Sequence, residues 1–295
     1  MSAPKALGDW MPVHVSWEAG ECMVEWIDFA ETRMTEPFFD QTVARLLENP
    51  CRNLRRFQTG MDELCERFAP QAESKPGGLI FHISRCGSTL VAGMLRALRR
   101  HVVLSEPAPL EQLLRLRRQV KAIPEETWQK WLRGLLMVMG RRRGDEEDCW
   151  FVKCDALHTL DAGFITRTFP GVPWVFLDRD ISEVISAHTN SPGRAMVPGA
   201  ILPGREFLYS PPDTPPGEHI ARVLEAIRAA SRALPMEAGM FVDYHELPEA
   251  GWRKVVAHFG LKLRAGDEVL VREAAARNAK NPDIAWKNDP PAKAG

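Results

Sequence analysis

Residues 79–90, Leu79-Ile80-Phe81-His82-Ile83-Ser84-Arg85-Cys86-Gly87-Ser88-Thr89-Leu90, constrain this chain more than any other stretch. An apolar run of strand length ends in a short polar turn. The turn opens directly into a helical pattern, with Leu90, Val91, Met94, Leu95 and Leu98 recurring on one face. Backbone N–H groups at a helix N-terminus have no intrahelical partner, and the helix dipole favours negative charge there. Gly87 allows close approach of a ligand to the backbone, Arg85 adds a permanent positive charge, and Ser84, Ser88 and Thr89 add hydroxyls. The stretch reads as a phosphate cradle. It departs from the nucleoside-triphosphatase pattern GxxxxGK[ST], because Gly87 stands where that pattern has lysine.

The residues that follow extend this strand–helix unit. Apolar strand patterns appear at 101–104, 150–154, 174–177 and 240–244. Helical patterns separate them at 110–120, 125–143, 181–189 and around Ile220, Val223, Leu224, Ile227 and Leu234, and a further one follows at 252–259. Near-continuous apolar strands alternating with helices indicate an α/β fold, a parallel central sheet flanked by helices. The spacing assigns residues 75–265 to this domain and residues 266–295 to a C-terminal helix and tail. Residues 1–74 form an N-terminal appendage of a β-hairpin over 13–26, a helix over 37–47 and a short helix over 61–68. This appendage shows no chemistry of its own: His14, Glu21 and Asp28 read as a solvated face. Arg141, Arg142 and Arg143 read as a solvated helix end.

In sheets of this kind ligands sit at the carboxyl ends of the strands. The cradle, Glu106 and Arg179 all fall there. Arg179 follows the strand at 174–177 and precedes a helix whose start carries Asp180 and Glu183, spaced like a capping box. Ser186 lies seven residues beyond Arg179, almost two helical turns, with Ser182 as a rival.

The turn Arg85-Cys86-Gly87-Ser88-Thr89-Leu90 resembles the 5′-phosphosulfate loop of sulfotransferases that use 3′-phosphoadenosine 5′-phosphosulfate (PAPS), close to the form in bacterial and carbohydrate-type members. Arg179 resembles the arginine of that family's second phosphate motif, although Ile181 replaces its usual proline. Residues 241–247 and the Ser105-Glu106-Pro107 turn are also similar to family patterns. The resemblance covers about residues 78–262 and leaves out the first 74. It implies a PAPS-dependent transferase of the P-loop sulfotransferase fold, acting on a hydroxyl or amine of a small molecule or glycan, with no metal. It also implies that Ser84, Arg85, Cys86, Gly87, Ser88, Thr89, Arg179 and Ser186 bind the cofactor, that Arg85 stabilises the bridging and sulfuryl oxygens, and that Glu106 is the general base for the acceptor.

Lys153 and His158, after the third strand, are further candidates for base or electrophile. His82 reads as a hydrogen-bonded core residue and Cys86 as a small loop filler. Residues 190–217 hold seven prolines and four glycines, which suits a lid or acceptor-binding loop with Arg194, Met196 and Arg205 toward the acceptor. Arg277, Lys280 and Lys287 are candidates to cover the cofactor phosphates.

The chain has 295 residues with 38 basic and 39 acidic side chains, a balance that gives no support to a nucleic-acid surface. No apolar run reaches membrane-spanning length, and the six cysteines lack metal-ligand spacing. These features lead to the expectation of a soluble, cytoplasmic protein with reduced thiols. Two other readings stay open: an atypical P-loop small-molecule kinase, and a non-catalytic nucleotide-binding or interaction protein.

Overall fold

A computed structural model describes residues 7–72, 74–189, 192–278 and 281–285. The chain opens with strands β1 (Trp10–Glu18) and β2 (Glu21–Asp28), followed by helix α1 (Phe39–Leu47), the short α2 (Pro50–Asn53), strand β3 (Arg56–Gly60) and α3 (Met61–Glu63). The hairpin and α1 are as the periodicity predicts. β3 is an addition, pairing antiparallel with β2 to complete a three-stranded sheet. A π-helical turn, Leu64–Phe68, continues α3.

Next come β4 (Gly78–His82), α4 (Ser88–Ala97), β5 (His101–Ser105), α5 (Ala108–Gln119), α6 (Glu125–Gly140) and β6 (Cys149–Lys153). They are followed by α7 (Ala162–Thr168), β7 (Trp174–Asp178), α8 (Ile181–Thr189), α9 (Pro216–Arg232) and β8 (Gly239–Asp243). Strands β4 to β8 form one sheet in the order β5-β6-β4-β7-β8, with every pairing parallel. The fold is α/β, as expected. The helix predicted over 252–259 is a π-helical turn, Gly251–Val255, running into α10 (Val256–His258). The chain ends, among the described residues, in α11 (Asp267–Ala275) and the small strand pair β9 (Arg277–Asn278) and β10 (Asn281–Ala285).

The topology positions the site. The chain leaves β4 for the edge strand β5, returns to β6, then crosses to β7 and β8 on the opposite side. Such a reversal of direction opens a crevice beyond the carboxyl ends of the central strands. β4 lies in the middle, and each of its residues is buried. Two-sided cover explains its unbroken apolar composition.

The N-terminal sheet packs β1 on α5 and α6, and its buried side chains join those of the parallel sheet in one hydrophobic cluster. Arg141 is part of this junction, not a solvated helix end. Its guanidinium is buried and donates to the carbonyl oxygens of Val138, Gly8 and Trp10 at 2.6–2.8 Å. A planar fork of donors can satisfy several carbonyls at once, which is why an arginine is tolerated there. No helix among the described residues is long and apolar enough to cross a membrane.

Candidate active site

The loop between β4 and α4 has an unusual backbone. Ser84 and Arg85 adopt φ of 110° and 48°, and Gly87, the residue capping α4, adopts 80°. Successive residues of this kind turn their N–H groups toward one concave face, a nest for an anion. The two non-glycine residues store about 1–3 kcal/mol of strain each, so the surroundings must hold them in place. Three contacts do so. Arg179 donates Nη1 to the Arg85 carbonyl oxygen at 2.7 Å. His188 and Ser84 bond through Nε2 and Oγ at 3.1 Å. Cys86 is fully buried beneath the loop. At Gly87 a Cβ would collide with Leu247, so no larger residue fits there without movement.

The predicted cofactor residues therefore divide. The Arg85 side chain is exposed, and Ser88 and Thr89 occupy the first turn of α4. The Cys86 side chain points into the core, so only its backbone faces a ligand. Burial opposes a thiolate at Cys86, yet His82 beside it outweighs this and lowers the thiol pKa.

Arg179 turns inward, contrary to an open phosphate-binding role. It is 3% exposed, donates Nε to Glu183 at 2.9 Å and stacks over the Tyr244 ring at 4.0 Å. In this position it braces the nest from beneath. The capping-box expectation changes with it: Asp180 accepts from the Ser182 and Glu183 amides, while the Glu183 carboxylate goes to Arg179 and His245. Ser182 bonds to Asp180, and Ser186 is exposed on α8.

Beside the nest opens a cleft of about 520 Å³. Ser84, Glu106, Asp155 and His158 contribute the strand-end wall, α5 adds Glu111, Gln112 and Arg115, and Asp40 enters from α1. Residues 193–196, Leu202, Pro203 and Arg205 of the proline-rich segment form the opposite wall, so Arg194, Met196 and Arg205 do face this space. Asn190 and Ser191, at the start of that segment, lie outside the described residues. The segment is pinned by Arg205, which is buried and bonds Asp161 at 3.0 Å.

Glu106 follows β5 with φ of 48°, fixed by its amide donating to the Lys153 carbonyl at 2.7 Å. Its carboxylate pairs with the Lys153 ammonium, which is 1% exposed. The Lys153 ammonium also lies 5.1 Å from the Phe38 ring centroid. His82 Nε2 donates to the Cys154 carbonyl at 2.9 Å and stands 3.7 Å from Glu106. Burial works against the Glu106 charge, but His82 and Lys153 outweigh it and hold the pKa at about 2. For His82, burial and Lys153 oppose protonation, while Cys86 and Glu106 favour it and raise the pKa to about 9. Glu106 is thus a permanent anion, a strong hydrogen-bond acceptor and a weak base.

His158 has both ring nitrogens engaged: Nδ1 accepts from the Asp155 amide at 3.1 Å and Nε2 bonds Glu111 at 3.0 Å. Glu111, Asp40 and His188 are site residues that the sequence pattern passes over. His188 sits at the end of the helix that follows the Arg179 turn, and that placement is the one signal of it in the sequence. Arg277 is exposed on β9, and Lys280 and Lys287 lie outside the described residues. No cluster of His, Cys, Asp and Glu suited to a metal ion occurs among the described residues.

No family model matches the chain, and no curated protein matches it. Several solved structures are similar to it. A sulfotransferase from Mycobacterium tuberculosis is 16% identical, covering 72% of this chain and 75% of its own, with a TM-score of 0.44. One from Alicyclobacillus acidocaldarius is 13% identical, covering 64% and 82%, with a TM-score of 0.41. A sulfotransferase domain from the curacin biosynthetic pathway is 14% identical, covering 70% and 80%, with a TM-score of 0.41. Their descriptions name the family that the loop motifs resemble, but at these TM-scores the likeness bears no weight. The functional reading rests on the chain's own geometry.

Proposed function

We propose that this chain transfers a sulfuryl group from PAPS to a hydroxyl or amine of a small molecule or glycan. The observation that carries the reading is the nest at 84–87, which includes the exposed Arg85, with an acceptor-sized cleft beside it. The lysine that a triphosphate-binding loop uses is missing, and an arginine stands earlier in the turn. PAPS supplies an activated sulfuryl group on a phosphate leaving group.

The loop N–H groups with Ser88 and Thr89 hold the 5′-phosphate, and Arg85 stabilises the charge that gathers on the bridging and sulfuryl oxygens. Arg179 keeps the nest in shape from below, and Ser186 offers a hydroxyl toward the 3′-phosphate side. Glu106, aligned by Lys153 and His82, is a fixed anion that orients the acceptor by its charge and offsets the positive charge that grows on the attacking atom. Catalysis here is alignment plus preorganised charge. His158, tied to Asp155 and Glu111, orders the cleft wall without taking the proton.

Incubation with PAPS and a panel of phenols, sugars and amines should release adenosine 3′,5′-bisphosphate together with a sulfated product. Turnover of ATP with magnesium in place of PAPS would support the kinase reading. Nucleotide binding without any turnover would support the non-catalytic one.

A further inference from the structure

Four carboxylates line the cleft: Asp40, Glu106, Glu111 and Asp155. Three are committed. Glu106 is paired with Lys153, and Glu111 with His158 and Arg118. Asp155 caps the turn after β6 by accepting from the Leu157 amide at 2.8 Å. Asp40 receives only the Ala108 amide, at 3.4 Å, among the described residues. Its carboxylate is exposed to the cleft, where an acceptor can reach it.

The N-terminal unit is built to carry Asp40 there. The Phe38 ring lies against the Lys153 ammonium, and Arg96 donates to the Pro37 carbonyl at 3.4 Å, so the start of α1 is fastened to β6 and α4. Asp40 follows in the first turn of α1.

Resting on the proposed sulfuryl transfer, we infer that Asp40 is the catalytic base: it takes the proton of the acceptor while Glu106 stays an anion that orients the nucleophile. As the acceptor oxygen bonds to sulfur, the bond from sulfur to the 5′-phosphate oxygen breaks and its electron pair stays on the phosphate. The acceptor's proton passes to the Asp40 carboxylate and from there to solvent.

The electrostatics agree with this division. Partial burial raises the Asp40 pKa, the Ala108 amide opposes the rise, and the Glu106 charge adds to it. Two neighbouring carboxylates whose environments push their proton affinities apart mark out the base and the fixed anion. The other charged and titratable groups of these surroundings are Lys153 on β6, His82 on β4, Arg96 on α4, Glu36 before α1 and Arg45 on it, Glu111 and Arg115 on α5, Asp155 and His158 after β6, His188 on α8, and Arg194 and Arg205 of the proline-rich segment. Glu36 and Arg45 neutralise each other.

The test is the rate of bisphosphate release from PAPS, with water and with the same acceptor panel, as a function of pH. A raised pKa on the base means that turnover climbs as pH rises through that value and levels off above it. Asp40→Asn should lower the plateau by about a hundredfold, the usual size of a general-base contribution, and abolish the acid limb. It should leave adenosine 3′,5′-bisphosphate affinity unchanged, which also reports that the variant is folded. Asp40→Glu should restore part of the rate and the limb. An Asp40→Asn protein with the original limb and plateau overturns this inference and leaves the sulfotransferase reading standing. Lost nucleotide affinity in that variant overturns it too, by making Asp40 structural. Absence of bisphosphate release from the unmodified chain overturns both.

Discussion

Arg85→Ala should abolish turnover and weaken nucleotide binding by about ten- to a hundredfold, as expected for loss of a charge-assisted contact of ~1.5–3 kcal/mol. The side chain is exposed, so its removal leaves the core intact. The loop backbone is held by other groups: the Arg179 bond to the residue-85 carbonyl, the buried Cys86 and the Ser84–His188 bond all remain. Alanine at position 85 bears the same positive φ as arginine does, so the strain does not change. Isothermal titration with adenosine 3′,5′-bisphosphate, beside a donor-turnover assay, separates binding from chemistry. Unchanged affinity and turnover would mean that the loop is only a structural turn.

The second large effect is expected at Glu106. Glu106→Gln keeps shape and reach but removes the anion that orients the acceptor. Turnover should fall by on the order of a hundredfold or more, with nucleotide affinity changed little. The variant should also melt earlier, because the Lys153 ammonium, 1% exposed, would lose its compensating charge. A matching fall in nucleotide affinity would instead mark Glu106 as a structural partner of Lys153. Steady-state kinetics, titration and a melting curve on the same preparation distinguish these outcomes.

Strands β4 to β7 were legible because a strand covered on both faces has to be apolar nearly throughout, whereas β8, largely exposed at the sheet edge, was read from its short apolar run alone. Residues 79–82 and 174–177 announce themselves in that way. β3 was not legible: Arg56-Phe57-Gln58-Thr59-Gly60 offers one large apolar residue, and its strand state depends on pairing with β2. The cradle could be read from glycine, arginine and hydroxyls at a strand–helix junction. What Arg179 does there could not. Its spacing gives the right neighbourhood, but the direction of a guanidinium depends on Glu183, Tyr244 and the Arg85 carbonyl meeting around it. Asp40 was hidden for a similar reason. It lies 66 residues before Glu106 in an amphipathic helix without a motif, and only the packing of α1 against β6 brings the two to one cleft. Arg141 shows the opposite error, since a run of three arginines looks solvated until three carbonyls are found around one of them.

Whether the site is shaped for PAPS is decided by titrating the unmodified chain with adenosine 3′,5′-bisphosphate and with adenosine 5′-phosphate, with and without magnesium. The bisphosphate should bind at least about tenfold more tightly, the least that one added charge-assisted phosphate contact should provide, and magnesium should make no difference. Equal affinity for the two nucleotides, or tight binding of ATP that requires magnesium, would contradict it.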